Sequence, residues 1–187
     1  MKIGIYGGTF DPVHHAHLIL AREARERLGL DKVIFVPAAI SPFKKPAAAT
    51  AEIRLAMLRA AIEGEMGLIV DDCELRRPAP SYTVDTIEDI KQREPAADIY
   101  LLIGDDNVSE LPKWHRFAEL EKMVRFVVLN RSGTHASHPY STILRRIDIS
   151  ATEIRKRVAS GRSIRYLVPE TVEAIIRREN LYRERAT

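Results

Sequence analysis

The feature that most constrains the fold is a series of short apolar strands that alternate with segments of helical periodicity. Strands are predicted over 2–6, 32–36, 68–70, 99–103, 125–129 and 147–149, and helices over 15–28, 51–63, 81–93, 117–123, 151–160 and 169–179. Continuous apolar strands joined by helices are typical of a parallel sheet covered on both faces. The sequence therefore predicts an α/β fold with a doubly wound parallel sheet in one domain, 1–187, in which about 145–187 forms a helical extension.

In doubly wound sheets, ligands bind beyond the carboxyl ends of the strands. Two predicted strands end in glycine there: Gly7 and Gly8 follow the first strand, and Gly104 follows the fourth. The segment 37–50 holds three prolines and two lysines and is predicted to be a long loop, a kind of segment that often carries function. We therefore expect the functional site at this edge of the sheet.

Composition narrows the class of protein. Hydrophobic residues make up 45% of the 187 residues and charged residues 29%, an ordinary globular mixture, and no apolar run approaches the about 20 residues of a membrane span. The single cysteine, Cys73, cannot form an intramolecular disulfide or a cysteine-based zinc site, and we expect a buried structural thiol. The N-terminus lacks the long apolar stretch of a secretory signal, so a cytoplasmic location is expected. The net charge of +3 is compatible with anionic ligands.

The stretch GGTFDPVHHAH, residues 7–17, follows the first predicted strand. Two glycines allow the backbone to approach a bulky ligand, and Pro12 delays the start of the helix. His14 and His17 lie three residues apart on the opening turn of that helix, where free N–H groups and the helix dipole favour an anion. This arrangement predicts phosphate binding. Two surface histidines or a metal site are the alternatives, and no cysteine or carboxylate at helical spacing supports a metal.

The stretch ISATEIR, residues 149–155, begins another predicted helix. Ser150 and Glu153 form a capping box, a structural role that accounts for both residues. Thr152 and Arg155, which the capping box does not explain, add a hydroxyl and a permanent cation near the same helix start. Most of the other late arginines are predicted to lie on solvated helix faces. A nucleic-acid binder is disfavoured, because interleaved aromatic residues and known binding motifs are missing.

Residues 7–17 resemble the T/HxGH motif of nucleotidyltransferases, and residues 149–155 resemble the ISxTxxR motif of the same superfamily. The segments SYTVDT at 81–86, GDD at 104–106, LPKWH at 111–115 and the ending from Tyr166 to Tyr182 resemble the nicotinate-nucleotide adenylyltransferases, so the resemblance spans nearly the whole chain. Ala16 stands where the family has glycine, and Phe43 stands where histidine is usual. The resemblance implies a Rossmann-like sheet of the nucleotidyltransferase type with a C-terminal helical extension.

The resemblance also implies the residues of the site. ATP would contact Gly7, Gly8, Thr9, Phe10, His14, His17, Gly104, Asp106, Ile149, Ser150, Thr152 and Arg155. Nicotinate mononucleotide would contact Gly8, Thr9, Asp11, Lys44, Tyr82, Thr83 and Trp114. The expected catalytic residues, which stabilise charge on the phosphates, are His14, His17, Lys44 and Arg155. Trp114 also fits on physical grounds, because this only tryptophan lies in a polar segment and its face suits a flat pyridine ring.

The implied reaction is transfer of AMP from ATP to nicotinate mononucleotide, with release of pyrophosphate, in NAD biosynthesis. A mononucleotide phosphate has a second pKa near ~6 and is mostly ionised at neutral pH, so it can attack directly without a protein nucleophile. Mg²⁺ is expected to arrive with ATP, and no protein metal site is expected. Nicotinamide mononucleotide or phosphopantetheine as the acceptor, and a catalytically weak nucleotide-binding module, are the alternatives. No nucleic acid or membrane partner is expected, and a homo-oligomer is compatible with the sequence.

Overall fold

The computed structural model describes residues 1–39, 47–131, 133 and 137–183. The strands are β1 (Lys2–Gly8), β2 (Lys32–Pro37), β3 (Leu68–Val70), β4 (Asp98–Gly104), β5 (Arg125–Asn130) and β6 (Ser141–Leu144). The helices are α1 (His15–Leu28), α2 (Ala51–Ala61), α3 (Cys73–Arg76), α4 (Thr83–Arg93), α5 (Phe117–Met123), α6 (Ala151–Ala159) and α7 (Glu170–Arg178). A 3₁₀ segment, Asp105–Lys113, follows β4 directly.

The six strands are all parallel and lie in the order β3-β2-β1-β4-β5-β6. The central strand β1 pairs with β2 on one side and with β4 on the other, so that Tyr6 lies opposite Phe35 and Leu102. From β1 the chain adds β2 and β3 toward one edge of the sheet, and from β4 it adds β5 and β6 toward the other edge. The carboxyl ends of β1 and β4 therefore border a crevice, which is where doubly wound sheets bind ligands. The predicted doubly wound parallel sheet is confirmed.

The sheet separates two hydrophobic cores, because successive strand residues point to opposite faces. On β4, Leu102 packs in a first core that α1, α2, α6 and α7 cover, whereas Leu101 packs in a second core that α4 and α5 cover. Both leucines are at most 2% exposed. Burial on both faces explains why the strands are continuous apolar runs rather than alternating ones.

The two C-terminal helices pack on the first core. Helix α7 buries Val172, Ile175 and Ile176 and lies beside α2, where the Thr171 hydroxyl donates a hydrogen bond to the carbonyl of Ala60 at 3.1 Å. The same core fully buries an isoleucine of α6. No helix in the described ranges is long and apolar enough to cross a membrane.

The strand predicted at 147–149 is wrong. The sixth strand is Ser141–Leu144, which pairs with β5, and residues 147–149 carry no regular secondary structure. Strand β5 ends at Asn130, so the residues that follow β6 have no strand to pair with. The N–H of Ile147 donates instead to the carbonyl of Arg131, which lies beyond the end of β5. The short α3 and the 3₁₀ segment were not predicted, because neither is long and regular enough to give a helical repeat.

Candidate active site

Two neighbouring cavities open at the carboxyl ends of β1 and β4. The first has a volume of about 530 Å³ and extends toward the starts of α1 and α6. The second has a volume of about 690 Å³ and extends toward the start of α4 and the end of the 3₁₀ segment. The residues that line both are Gly7, Gly8, Thr9, Asp106 and Asn107. Molecules bound in the two cavities would therefore meet over the end of β1.

The two glycines that end β1 leave room between the cavities. A Cβ built on Gly7 would meet no atom within 4 Å and would take up open space, whereas a Cβ on Gly8 would lie 2.9 Å from the ring of Phe10. Phe10 has a φ of +49°, and its buried ring packs edge-on against Tyr6 with the ring centroids 5.7 Å apart. Phe10, which also lines the first cavity, thus packs behind the end of β1 and requires a small residue at Gly8, in front of its ring.

The histidine pair lies at the start of α1, on the wall of the first cavity. His14 is the N-cap, its backbone N–H donates to Nδ1 of His17 at 3.2 Å, and the two rings stack with their centroids 3.7 Å apart. Because Nδ1 of His17 accepts this bond, the neutral ring of His17 carries its proton on Nε2. His14 is 1% exposed, and burial, with Arg131 and His15 nearby, lowers its pKa to about 3. His14 is therefore neutral at physiological pH and acts as a hydrogen-bonding group rather than as a cation.

The second motif reaches the same cavity through α6. Ser150 is the N-cap of α6, and its hydroxyl accepts a hydrogen bond from the N–H of Glu153 at 3.1 Å, which is the serine half of the predicted capping box. Arg155 donates from Nη1 to the carbonyl of Asp11 at 2.6 Å and from Nη2 to the hydroxyl of Thr152 at 3.3 Å. The structure thus brings the two predicted phosphate motifs together on one cavity wall.

Asp11 lines the first cavity rather than the second. Its Oδ2 accepts from the N–H of Ala48 at 2.7 Å, and its Oδ1 accepts from the N–H of Ala49 at 3.2 Å and from the Tyr182 hydroxyl at 2.7 Å. Asp11 is only 5% exposed. A buried carboxylate with three donors anchors the segments that supply them. The contact of Asp11 with nicotinate mononucleotide stays a prediction.

A buried arginine of α2, which the sequence did not predict, contacts the backbone of the site without lining either cavity. Arg54 is 2% exposed and donates from Nη1 to the carbonyl of Thr9 at 2.8 Å. Burial lowers the pKa of the guanidinium, and the nearby carboxylate of Asp11 opposes this effect. The available signal was the position of Arg54 on the apolar face of its helix, three and four residues before Met57 and Leu58.

A second unpredicted arginine, Arg131, follows β5 directly and lines the first cavity. Its Nη1 donates to the carbonyl of Ile149 at 3.0 Å, whereas Ile149 itself is not among the residues that line either cavity. The signal for Arg131 was its place just after a predicted strand of the parallel sheet, at the carboxyl end where such sheets bind ligands.

The second cavity is walled by the start of α4 and by the residues that follow the 3₁₀ segment. Tyr82 and Thr83 lie at the start of α4, and Trp114 packs half-buried against the second core. The Tyr82 ring stacks on His115 with the centroids 4.2 Å apart. Buried Glu74 lines the same cavity, and burial raises the pKa of its carboxyl. Five of the residues predicted for the pyridine nucleotide thus line one cavity that has an aromatic wall: Gly8, Thr9, Tyr82, Thr83 and Trp114.

Asp106 borders both cavities from the start of the 3₁₀ segment. A Cβ on Gly104 would lie 2.4 Å from Oδ1 of Asp106, so the glycine leaves the space that this carboxylate occupies. The Asn107 side-chain amide donates to the same oxygen at 3.1 Å and orients the carboxylate. Asp106 is exposed, so a ligand in either cavity could reach it.

The chain departs from the family pattern at Ala16 and at Phe43, and the structure describes only Ala16. Ala16 lines the first cavity but is 1% exposed, so its methyl group takes little of the cavity surface. Phe43 and the predicted catalytic residue Lys44 lie outside the residues that the structure describes.

Comparison with known proteins identifies close relatives over the full chain. The family model described as cytidylyltransferase-like matches residues 5–157. A relative from Gemmatimonas aurantiaca, named "Probable nicotinate-nucleotide adenylyltransferase", is 43% identical, and the match covers 98% of this chain and 93% of the relative. A relative of the same name from Exiguobacterium sibiricum is also 43% identical, with 97% of this chain and 99% of the relative covered.

Among solved structures, the Plasmodium falciparum nicotinic acid mononucleotide adenylyltransferase complexed with NaAD is similar with a TM-score of 0.82, over 97% of each chain. At 20% sequence identity, this likeness shows a shared fold. The two bacterial relatives are similar to this chain in sequence over nearly their whole length. The chain therefore belongs to the nicotinate-nucleotide adenylyltransferase family, within the cytidylyltransferase-like proteins.

Proposed function

We propose that this chain transfers the adenylyl group of ATP to the phosphate of nicotinate mononucleotide, giving deamido-NAD and pyrophosphate. The observation that carries the proposal is the pair of cavities that meet at Gly7, Gly8 and Thr9. An enzyme that joins two nucleotides must hold two anions in one orientation, and a shared wall provides for this. The names of the bacterial relatives support the choice of substrates.

ATP is assigned to the first cavity, because the polar groups there suit a triphosphate. Helices α1 and α6 both begin at its wall, and the positive ends of their dipoles favour negative charge there. Arg155 adds a permanent cation, and the Nε2–H of His17 adds a donor. Asp106, which borders both cavities, would bind the ribose. MgATP is taken as the substrate, since magnesium is commonly held by substrate phosphates and the described residues contain no cluster of three metal-ligating side chains.

Nicotinate mononucleotide is assigned to the second cavity. The indole of Trp114 offers a flat apolar face for the pyridine ring. The free N–H groups at the start of α4, around Thr83, would bind the carboxylate of the ring. A helix start attracts a charged carboxylate more strongly than a neutral amide, which favours nicotinate over nicotinamide mononucleotide.

The proposed reaction is an in-line displacement. An oxygen of the mononucleotide phosphate forms a bond to the α-phosphorus of ATP, the bond from that phosphorus to the oxygen bridging to the β-phosphate breaks, and pyrophosphate leaves with the electron pair. The attacking phosphate is already ionised, so no protein base is required. The chain aligns the two substrates and stabilises charge through His17, Lys44 and Arg155, with neutral His14 as a hydrogen-bonding partner. Because both substrates are soluble nucleotides, we place the reaction in the cytoplasm.

The test follows pyrophosphate release by the purified protein with MgATP and one of three acceptors: nicotinate mononucleotide, nicotinamide mononucleotide or phosphopantetheine. Fast release with nicotinate mononucleotide alone is the expected result. Arg155→Ala should lose most of the rate, whereas Arg162→Ala, at an exposed position outside both cavities, should keep it. Equal rates with the amide would overturn the choice of acceptor. No release with any acceptor, from folded protein that binds ATP, would indicate a non-catalytic nucleotide-binding module.

A further inference from the structure

One residue of the C-terminal segment contacts the first phosphate motif. The Tyr182 hydroxyl donates a hydrogen bond to Oδ1 of Asp11 at 2.7 Å, across 171 positions of the sequence. Tyr182 has a φ of +61°, a left-handed conformation that residues other than glycine rarely adopt. Its ring packs against the first core, and burial, together with the Asp11 carboxylate, raises the pKa of its hydroxyl, which therefore stays protonated as a donor. The surrounding structure thus holds Tyr182 in one orientation despite the backbone strain.

Asp11 is held by three donors and in turn supports Arg155. Besides Tyr182, the backbone N–H groups of Ala48 and Ala49 donate to its carboxylate. The backbone carbonyl of Asp11 accepts a hydrogen bond from Nη1 of Arg155 at 2.6 Å. A shift of the Asp11 peptide would therefore move the acceptor that fixes this guanidinium.

Arg155 lies on the wall of the first cavity with both terminal nitrogens bonded to protein. Nη1 bonds to Asp11, and Nη2 bonds to the hydroxyl of Thr152 at 3.3 Å. The planar guanidinium has five N–H donors in a rigid arrangement, so two fixed bonds determine the direction of the others. A charged donor that is oriented before the phosphate arrives needs no reorganisation on binding, which makes it more effective.

We propose that Tyr182 is a positioning residue for ATP: its hydroxyl fixes Asp11, and Asp11 fixes the guanidinium of Arg155 against the triphosphate. The inference rests on the proposed assignment of ATP to the first cavity. Tyr182 is not among the residues that line either cavity, so it acts through its neighbours. The nucleotide in the second cavity should not sense this contact, since neither Asp11 nor Arg155 lines that cavity.

The first test compares Tyr182→Phe with the wild-type protein, by calorimetric titration with the α,β-methylene analogue of ATP and by steady-state kinetics. Loss of a hydrogen bond to a charged group should raise the Kd of the analogue and the KM for ATP by about tenfold and leave the KM for nicotinate mononucleotide unchanged. Tyr166→Phe, at an exposed tyrosine near the same end of the chain, should match the wild-type protein. Ile176→Val, in the buried face of α7, should lower the melting temperature without changing the Kd.

A double-mutant cycle with Arg155→Lys separates positioning from stability. If Tyr182 acts through Arg155, the effect of Tyr182→Phe on the Kd of the analogue should fall below about twofold in the Arg155→Lys background. Full additivity, equal changes for both substrates, or an unchanged ATP affinity in Tyr182→Phe would each overturn the inference. If Tyr182→Phe does not fold, Asp11→Asn repeats the test. Both carboxylate oxygens of Asp11 accept from backbone N–H groups, so the NH₂ group of asparagine must face one of these donors in either orientation. The repulsion between the two donors should shift the same peptide.

The two proposals fail separately. A wild-type protein that lacks adenylyl transfer, but whose affinity for the ATP analogue depends on Tyr182, overturns the proposed function and supports this inference. An active wild-type protein whose ATP affinity does not depend on Tyr182 overturns this inference alone.

Discussion

The backbone N–H of His14 donates a hydrogen bond to Nδ1 of His17 at 3.2 Å, and the two rings stack with their centroids 3.7 Å apart. The bond makes Nδ1 an acceptor, so the proton of the neutral His17 ring lies on Nε2. A donor fixed in this way has its direction before the nucleotide arrives, which is a condition for stabilising charge in the transition state. The spacing of three residues at the start of α1 is what allows this contact.

Replacement of His17 by alanine should reduce kcat by about 100-fold and raise the KM for ATP much less, because a preorganised donor acts most strongly on the transition state. His15→Ala is the matched control, since this neighbouring histidine lines neither cavity and should be dispensable for most of the activity. Steady-state kinetics of pyrophosphate release measures both variants. A near-normal kcat for His17→Ala would show that His17 is not a catalytic residue.

His14 should make the protein less stable in mild acid. Its pKa of about 3 in the folded chain lies below the ordinary value of 6.5, so between these two values the unfolded chain binds more protons and stability falls as the pH falls. Between pH 7.5 and pH 5.5, this group alone should remove about 1.4 kcal/mol from the free energy of unfolding. Urea unfolding at the two pH values measures the loss.

The variant His14→Asn supplies the comparison for this pH effect, because asparagine is a favoured N-cap residue and does not titrate. The free energy of unfolding should fall by about 1.4 kcal/mol more in the wild-type protein than in His14→Asn over the same pH range. His15→Asn should behave like the wild-type protein. Parallel losses in the wild-type protein and in His14→Asn would contradict a neutral, buried His14.

The elements and motifs that the sequence predicts well are those whose signal is local. Helices α1 and α5 have the predicted bounds, because apolar spacing along the helix, and for α1 the cap at Gly29, act within the segment itself. The cavity that holds His17 and Arg155 follows from two such local motifs, together with the rule that parallel strands present their carboxyl ends at one edge.

What the sequence does not predict depends on contacts between distant segments. Arg54 can be buried because the carbonyl of Thr9, 45 positions earlier, accepts its guanidinium. The anchoring role of Asp11 depends on Tyr182, 171 positions later. Strand Ser141–Leu144 forms where β5 offers an unpaired edge, and pairing of this kind leaves little trace in a four-residue segment.

Lys44 allows a test of the part of the site that lies outside the described residues. The family resemblance implies that its ammonium group binds phosphate, so Lys44→Ala should lower kcat/KM for nicotinate mononucleotide by about tenfold or more. Lys45→Ala is the matched control, because it removes the same charge one position later, where no role is assigned. Initial rates at low concentrations of the nucleotide give both values. Equal losses in the two variants would show that net charge alone, and not Lys44, matters.

Trp114 should determine affinity for the pyridine nucleotide and not for ATP, because its indole lines only the second of the two cavities. Loss of the stacking surface in Trp114→Ala should raise the KM for nicotinate mononucleotide by about tenfold, and Trp114→Phe should recover part of the loss. Phe117→Leu, which alters packing against the same core without touching either cavity, controls for loss of stability. A rise in the KM for ATP of the same size would argue against separate cavities for the two substrates.

Gly104→Ala should weaken ATP binding through one displaced carboxylate. The backbone of Gly104 has φ and ψ of −67° and 150°, which alanine adopts freely, so the chain should fold normally. The added Cβ would lie 2.4 Å from Oδ1 of Asp106 and must push that carboxylate away from the end of β4. If Asp106 binds the ribose, the KM for ATP should rise by about fivefold, the effect of losing one hydrogen bond. In the Asp106→Ala background, Gly104→Ala should have no further effect, since the carboxylate that it displaces is absent. An undiminished effect in that background would show that the loss comes from the backbone at the carboxyl ends of β1 and β4 and not from Asp106.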